Sequence, residues 1–416
     1  MAGRHSHPTS ALILGVGAVL GLGPLACVGH SYYGGPYDYP GTAAAAAVAV
    51  ADVNGDGKLD LVSTQPGVLA GSGFVSVLLQ APGQPGGFQG PFRSAAGVNP
   101  GNLAVASLGG SAGPAVAVVN GQVAVNPSAA NTVSVLLPNS AQPGAFLAPV
   151  TLPLGTRNPV DVAMGDLTGS GSMDIAVAAD GGNDLLVFFQ GATPGSFNAP
   201  VSLALGGAPT AVAMGDLTGA GQLDLVAATS ANSVSVLLHD PANPGRFLGH
   251  VDYPVGAGPV AVKIADLLGN QRPALAVVNY GASLAPTTQG LSVLLQDPAA
   301  AGTFQAAVTY ATGDYNSDAV AVADLNNDGL LDLVVANYGL RNTPGSLSVF
   351  LQDPAHRGAF LSPSVYPGSN GPTSVAIGDL NGDGLPDLAS ADGDIVVRYQ
   401  VAGQPGVFGP PVHFPQ

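Results

Sequence analysis

Oxygen-bearing side chains recur at alternate positions in the stretch from Asp324 to Asp332. Position 6 is Gly329, which permits the sharp turn that such a loop needs. Hard oxygen ligands at odd spacing around a glycine turn are what Ca²⁺ prefers, whereas zinc would call for sulfur or imidazole. Position 7 can offer only its backbone carbonyl. The predicted ligands at positions 1, 3, 5, 7 and 9 are Asp324, Asn326, Asp328, Leu330 and Asp332.

Two further stretches carry the complete pattern. Each has three carboxylates and one amide around a glycine turn, and calcium binding is expected at both. The alternative is Asx-turn chemistry, in which Asp and Asn bond their own backbone. That chemistry explains one or two such residues, but three carboxylates would repel one another without a cation. The predicted ligands are Asp52, Asn54, Asp56, Lys58 (through its carbonyl) and Asp60 in one loop, and Asp379, Asn381, Asp383, Leu385 (carbonyl) and Asp387 in the other.

Four more stretches carry weakened or degenerate versions of the loop. Two keep two carboxylates each, and fewer ligand charges lower calcium affinity. A metal-free turn held by hydroxyl groups is the alternative for both. The stretches Ser107–Ala115 and Asp266–Ala274 have lost the pattern and are expected to be structural turns. The candidate ligands of the weakened loops are Asp166, Thr168, Ser170, Ser172 and Asp174, and then Asp216 and Asp224.

The elements that position these loops repeat along the chain. A Gly-x-Phe marker occurs in seven copies, and between markers the order is an alternating apolar run, the loop, and three further strand-like segments. Period-two alternation and β-branched residues favour strands over helices. Four strands in each of seven repeats predict an all-β, seven-bladed β-propeller with antiparallel blades. The Gly-x-Phe rings are expected to pack between adjacent blades; they are Phe88, Phe146, Phe197, Phe247, Phe304, Phe360 and Phe408.

Composition supports this architecture. Among 416 residues, 60 are Gly and 36 are Pro, yet 46% are hydrophobic, which is typical of many short strands joined by turns. All acidic residues are Asp, a loop and ligand residue, while the helix-favouring Glu is absent from the sequence. The formal charge of −16 disfavours nucleic acid and anionic membrane surfaces as partners.

The first residues have the pattern of a secretion signal. Basic residues precede the apolar run Ala11–Leu25, which is short and glycine-rich for a membrane span. Cys27, the only cysteine, follows that run in the position of a bacterial lipobox cysteine, although Pro24 stands where a lipobox usually has Leu. We therefore expect residues 1–27 to be a signal peptide, with Cys27 either lipidated or removed by ordinary cleavage. Residues 28–41 are interpreted as a linker and residues 42–416 as the propeller.

The stretch Val375–Leu388 reads Val-Ala-Ile-Gly-Asp-Leu-Asn-Gly-Asp-Gly-Leu-Pro-Asp-Leu and resembles the FG-GAP/VCBS repeat family. These repeats build the propellers of integrin α-subunits and of many secreted bacterial proteins. The resemblance covers roughly residues 42–416 and implies the propeller fold and calcium binding. It implies little about function, because the family includes adhesion proteins, enzyme-associated modules and proteins of other roles.

The sequence offers two candidates for the strand that completes the last blade. Tyr39-Pro40 and Phe414-Pro415 both have the pattern of a fourth strand, and one of them should complete the last blade.

The connections between second and third strands are long in repeats 1, 2, 5 and 6 and should lie opposite the calcium loops. Insertions of this kind can mark a binding face, with Tyr280 and Tyr338 as candidate contacts; neutral drift of surface loops is the alternative.

No sequence motif selects a catalytic site. The leading interpretation is an exported, monomeric, calcium-binding module for adhesion or binding of an extracellular protein or glycan. It would reside outside the cell or be lipid-anchored in the cell envelope. The alternatives are a propeller enzyme, a lyase or hydrolase acting on sugars at the central channel, and a structural scaffold.

Overall fold

The computed structural model describes residues 45–66, 73–107, 113–121, 131–281, 290–340 and 343–416. The predicted signal peptide, the linker, Cys27 and Tyr39-Pro40 lie outside these ranges. Within them, no helix is long and apolar enough to cross a membrane.

The described residues form seven four-stranded antiparallel sheets, as predicted. Each sheet, here called a blade, uses four strands that are consecutive in the chain. Blades 1 and 2 comprise β1 (Ala47–Ala51), β2 (Asp60–Gln65), β3 (Gly73–Gln80), β4 (Phe88–Gly97), β5 (Pro100–Ser107), β6 (Pro114–Asn120), β7 (Thr132–Leu136) and β8 (Val150–Pro153). Blades 3 and 4 comprise β9 (Asn158–Gly165), β10 (Asp174–Asp180), β11 (Asp184–Phe188), β12 (Val201–Ala204), β13 (Pro209–Gly215), β14 (Asp224–Thr229), β15 (Ser233–Leu237) and β16 (Val251–Pro254).

The remaining blades follow the same order. Blade 5 comprises β17 (Pro259–Ala265), β18 (Ala274–Asn279), β19 (Leu291–Leu294) and β20 (Val308–Tyr310). Blades 6 and 7 comprise β21 (Ser317–Ala323), β22 (Asp332–Asn337), β23 (Ser346–Phe350), β24 (Ser364–Pro367), β25 (Ser374–Gly378), β26 (Asp387–Asp392), β27 (Asp394–Arg398) and β28 (Val412–Phe414).

The first strands of neighbouring blades lie against one another and close a ring, with β1 beside β25. The strand β28, which ends at Phe414, is the fourth strand of blade 7. The segment containing Phe414-Pro415 therefore completes the last blade. Because no strand is shared between blades 1 and 7, the ring is closed there only by noncovalent contacts, and we call this junction the seam.

Apolar residues are buried between blades rather than in one central core. Ala104 and Ala106 of β5, for example, pack in one cluster with Val162 and Met164 of β9. Alternation along each first strand directs successive side chains toward the blades on either side. Small residues on one face and larger ones on the facing blade let adjacent sheets approach closely.

The Gly-x-Phe rings pack between adjacent blades, as predicted. Phe304 of blade 5 meets Tyr253 of blade 4 edge to face, with ring centroids 5.4 Å apart. Phe408 and Tyr366 form the equivalent pair between blades 7 and 6 at 5.7 Å. Such aromatic pairs add about 0.5–1.5 kcal/mol each beyond the area they bury.

The repeat pattern predicts a fourth strand over Phe360–Tyr366 in blade 6, and this predicted start is too early. Phe360 forms an isolated bridge with Gln352, and the strand proper begins at Ser364. Pro363 lies between the two and has no backbone N–H to continue the ladder.

Candidate metal loops and the opposite face

The three complete loops connect the first and second strands of blades 1, 6 and 7, all on one face of the ring. At position 1 the carboxylate organises the turn. Asp52 accepts N–H bonds from Gly55 at 2.7 Å and Gly57 at 2.8 Å, and both glycines have positive φ. In blade 6, Asn327 takes the first of these left-handed positions with φ of 57°. Glycine and asparagine tolerate this conformation with little strain.

The carboxylate at position 5 is exposed and makes only local contacts. Asp328 accepts the Leu330 N–H at 2.8 Å and the Asn326 side-chain amide at 3.0 Å. The degenerate loop of blade 5 has Asn270 at this position, and its side-chain oxygen accepts the Arg272 N–H at 3.0 Å. An amide therefore supports the same turn, so the charge of Asp328 is not needed for folding of the loop.

The carboxylate at position 9 is buried and bonded at both oxygens. Asp332 accepts the Leu325 N–H at 2.9 Å and the Gln352 N–H at 2.8 Å, which ties the loop to the end of the third strand. The weakened loops keep this arrangement, since Asp224 accepts the Leu217 and His239 N–H groups at 2.8 and 2.7 Å. The residues with this double bond are Asp60, Asp174, Asp224, Asp332 and Asp387.

Burial raises the pKa of these inner carboxyls, to about 6 for Asp332 and about 7 for Asp387. The two backbone N–H bonds oppose that effect, and the other loop carboxylates add to it. In the complete loops both partner carboxylates contribute, as Asp328 and Asp324 do for Asp332. In the blade 3 loop, Asp166 is the one loop carboxylate that raises the pKa of Asp174 in this way. The complete loops thus concentrate more negative charge around the position 9 group.

The weakened and degenerate loops keep the turn. Asp166 accepts the Gly171 N–H at 2.6 Å, Asp216 accepts the Gly221 N–H at 2.7 Å and Asp266 accepts the Gln271 N–H at 2.6 Å. Thr168 and Ser170 bond each other at 2.9 Å, and Ser170 also accepts the Ser172 N–H at 3.3 Å. Hydroxyl groups thus occupy part of the space that carboxylates hold in the complete loops. The Asp266 loop forms a turn through these backbone bonds, whereas residues 108–112 of the Ser107 loop lie outside the described ranges.

The donor set of the complete loops fits Ca²⁺. A carboxylate has about four lone-pair sites, and the turn bonds of Asp328 use two of them. Each loop adds an amide oxygen and a backbone carbonyl, which are also calcium ligands. In the described part of the chain, no three or more His, Cys, Asp or Glu side chains are already grouped to hold a metal ion. Binding would therefore require the carboxylates of a loop to draw closer together.

The connections between second and third strands lie on the face opposite the metal loops, as strand alternation predicts. Most of three long connections, residues 67–72, 122–130 and 282–289, lies outside the described ranges. Tyr280 is half-buried and packs against the apolar cluster between blades 5 and 6. Tyr338 is also half-buried, and its N–H donates to the Asn316 carbonyl at 2.9 Å.

Sequence reasoning missed the buried Asp161 of β9. Its carboxylate accepts the Val212 N–H of blade 4 at 2.8 Å and its neighbour Val162 N–H at 2.9 Å. Asn102 of blade 2 donates to the Val160 carbonyl at 2.7 Å, so polar side chains link blades 2, 3 and 4. Burial raises the pKa of Asp161 to about 7, against lowering effects of the Val212 bond and the Lys263 charge. An aspartate inside an alternating apolar strand was the available signal.

Replacing Asp161 by Asn is expected to flatten the pH dependence of stability between about pH 4 and pH 7. The pKa of Asp161 is about 7 in the folded chain and 3.8 for an unperturbed group, so the folded state binds more protons across that window. Stability from this group is fully present below pH 4 and is lost as the pH rises through 7. At about 1.36 kcal/mol per pKa unit, the loss is at most about 4 kcal/mol.

Urea unfolding at several pH values measures this effect. The other buried carboxyls contribute to the pH dependence of stability in both proteins. The difference in that pH dependence between wild type and Asp161→Asn therefore gives the contribution of Asp161. Equal slopes in the two proteins would show that Asp161 is ionised in the folded state across this range.

The missed residues also include a glutamine at the end of the third strand. Gln80, Gln296, Gln352 and Gln400 each precede a Gly-x-Phe ring at constant spacing, and that recurrence was the sequence signal. Their buried side chains reach the metal-loop face.

Family models match three parts of the chain. A model described as an FG-GAP-like repeat matches residues 166–227 and 324–390, and one described as an FG-GAP repeat matches residues 44–78. These segments contain all three complete loops: residues 44–78 include the loop of blade 1, and residues 324–390 include the loops of blades 6 and 7. No curated protein is significantly similar to the chain in sequence.

Solved structures share the fold at low sequence identity. A candidate 6-phosphogluconolactonase of Bacteroides fragilis is 13% identical, with a TM-score of 0.58 over 92% of this chain and 98% of that one. BBS1N, crystallised in complex with ARL6DN, is 13% identical with a TM-score of 0.55 over 91% and 99%. The exotype rhamnogalacturonan lyase YesX is 13% identical with a TM-score of 0.50 over 89% and 73%. At these identities the likeness shows the fold alone.

Proposed function

We propose that this chain, which is an FG-GAP repeat protein, acts outside the cell as a calcium-stabilised, non-catalytic binding module. The observation that carries the proposal is the division of the ring into two faces. One face holds compact acidic turns, and the other holds connections whose length varies from blade to blade. A rigid ring that presents variable loops on one side is suited to recognition.

Calcium would be held by the three complete loops. Their ligands are the side chains at positions 1, 3, 5 and 9 and the carbonyl at position 7, as in Asp379, Asn381, Asp383, Asp387 and Leu385. Bound there, the cation supplies positive charge that offsets repulsion among carboxylates. A loop filled by protein oxygens leaves little room for substrate, in contrast to an open catalytic site. The cation would therefore act on stability.

Export fits the same proposal. Calcium modules of the extracellular space work at dissociation constants of about 10⁻⁴–10⁻³ M, and loops with three carboxylates on exposed turns suit that range. The apolar run Ala11–Leu25 followed by Cys27 supplies the export signal, with or without a lipid anchor.

We propose that the recognition surface lies over blade 6 on the variable face. There the connection before β21 and the connection after β22 are joined by bonds from Tyr338 N–H to the Asn316 carbonyl and from Gly339 N–H to the Tyr315 carbonyl, at 2.9 and 3.0 Å. Tyr315, Asn316 and Tyr338 are each half-exposed on this paired platform. Tyrosine is enriched at binding surfaces because it offers a large contact area together with a hydroxyl group.

Surface plasmon resonance tests the function. Neutral polysaccharides, collagen and fibronectin are each passed over the immobilised protein in a buffer that contains calcium. Any polysaccharide that binds is then assayed for newly formed chain ends, which would indicate cleavage. We expect retention of one ligand without cleavage, and about tenfold weaker retention by Tyr338→Ala. Leu248→Ala, at an exposed site on the outer rim, is the matched control and should bind like wild type. Cleavage of a polysaccharide would replace the binding function by the enzymatic alternative.

A further inference from the structure

The three complete loops lie in consecutive blades. Counting around the closed ring, blades 6, 7 and 1 carry the loops that begin at Asp324, Asp379 and Asp52. The seam falls inside this group, between blades 7 and 1. The weakened and degenerate loops occupy the other blades, which are joined by the chain itself.

Gln400, at the end of the third strand of blade 7, contacts two of these loops at once. Its side-chain amide donates to the Leu325 carbonyl in the blade 6 loop at 2.9 Å and to the Pro386 carbonyl in its own loop at 2.9 Å. Its backbone N–H donates to Asp387, the position 9 carboxylate, at 2.8 Å. Its side-chain oxygen accepts the Gly406 N–H at 3.3 Å, and the side chain is 5% exposed.

Gln80 makes the corresponding connection across the seam. Its side-chain amide donates to the Asp379 carbonyl of the blade 7 loop at 3.4 Å, and its backbone N–H donates to Asp60 of the blade 1 loop at 2.9 Å. Nearby, the Tyr399 hydroxyl donates to the Gly86 carbonyl at 2.7 Å. The edge of blade 1 is thus attached to the metal loop of blade 7.

Each glutamine therefore joins a position 9 carboxylate in one blade to the loop of the preceding blade, Gln400 through the carbonyl at position 2 and Gln80 through the carbonyl at position 1. Ordering of a loop by a cation fixes the carbonyl that the glutamine amide needs. That amide in turn holds the backbone which positions the neighbouring carboxylate. When one binding event already orders part of the backbone that a second one needs, the second loses less conformational entropy. The two affinities are then coupled, and the coupling is reciprocal.

We propose that Gln400 and Gln80 are positioning residues that couple the calcium loops of blades 6, 7 and 1, so that calcium binding also strengthens the seam. This inference rests on the proposed calcium binding. It assigns the glutamines a role beyond packing, because their bonds run between ligand loops of different blades.

Blade 5 supplies a matched control. Gln296 is also 5% exposed, and its side-chain amide donates to the Leu217 carbonyl in the blade 4 loop at 2.8 Å. Its side-chain oxygen accepts the Gly302 N–H at 3.2 Å, as Gln400 accepts from Gly406. The blade 4 loop lacks the central carboxylate, having Ala220 at position 5. The two glutamines thus share the bond to position 2 of the preceding loop and the bond from the following glycine. Gln400 also donates to the Pro386 carbonyl of its own loop, and of the two only Gln400 touches complete loops.

Calcium titration calorimetry on the full chain tests the coupling, with Gln400→Met and Gln296→Met compared with wild type. Methionine has a similar shape and lacks the amide donor. We expect cooperative binding in wild type and, in Gln400→Met, an affinity about fivefold weaker at two sites with loss of cooperativity. Gln296→Met should bind calcium as wild type does, although it also loses stability in chelator because the bond to the Leu217 carbonyl is removed.

Hydrogen exchange gives the second readout. In wild type, calcium should slow exchange in β1 and β27 beside the seam more than in β14 and β15 of blade 4, and Gln80→Met should remove this difference. Calcium binding that is the same in Gln400→Met and wild type, or equally changed in Gln296→Met, would overturn the coupling alone. A wild-type protein that binds no calcium would overturn both the coupling and the proposed calcium-dependent function.

Discussion

Replacing Asp224 by alanine is expected to lower the free energy of unfolding by about 2–6 kcal/mol. The side chain is fully buried, and its two oxygens accept the Leu217 and His239 N–H groups. Removing it leaves both backbone donors buried without acceptors, at about 1–3 kcal/mol each. Burial raises the pKa of Asp224, and the two backbone N–H bonds act against that shift.

Chemical denaturation in calcium and in excess chelator measures this loss, which should be the same in both conditions. The blade 4 loop has only two carboxylates, so its position 9 residue acts through hydrogen bonds with or without a metal ion. Asp240→Ala is the control, because Asp240 also accepts two hydrogen bonds but lies in an exposed turn. Its loss should be much smaller. A calcium-dependent loss at Asp224 would instead identify the blade 4 loop as a metal site.

Removing calcium is expected to lower the melting temperature of the wild-type protein by about 10 °C. A ligand bound only by the folded state at 100 times its dissociation constant adds about 2.7 kcal/mol, so three loops that are each saturated to this degree add about 8 kcal/mol. Unfolding entropy of about 2.1 cal/mol/K per residue converts this into the shift for a domain of this size. Differential scanning calorimetry in excess calcium and in chelator gives the measurement.

The triple variant Asp56→Asn, Asp328→Asn, Asp383→Asn separates metal binding from folding. Each replacement removes one ligand charge from a complete loop while leaving an oxygen to accept the turn bond, as Asn270 does in blade 5. The variant should melt like wild type in chelator and should lose most of the calcium-dependent shift. If wild type melts at the same temperature with and without calcium, the three complete loops are structural turns and not metal sites.

The polar residues of these loops therefore have two different roles, depending on their position in the loop. Positions 1 and 9 hold the turn and the adjoining strand in complete and weakened loops alike, as the bonds of Asp216 and Asp224 show. Positions 3 and 5 are exposed or half-buried and distinguish the complete loops. Variants at position 5 thus report on calcium, whereas variants at position 9 report mainly on folding.

The architecture could be predicted from the sequence alone. Alternating strands, the recurring acidic turn and the Gly-x-Phe ring were enough to predict seven antiparallel blades, because each signal is local and repeats with the blade. The turn itself was also predictable, since Gly329 at position 6 has the positive φ of 82° that the loop requires. Packing of Phe304 and Phe408 between blades followed from their equivalent places in the repeat.

The folded arrangement was needed to establish how the blades are joined and which partners each polar group has. Two segments of similar pattern could have completed blade 7, and the pairing of β27 with β28 selected the one that ends at Phe414. The bonds of Gln400 and Asp161 to other blades join residues far apart in the chain. Sequence spacing cannot supply such contacts, because they depend on the distance between neighbouring sheets once the ring has closed.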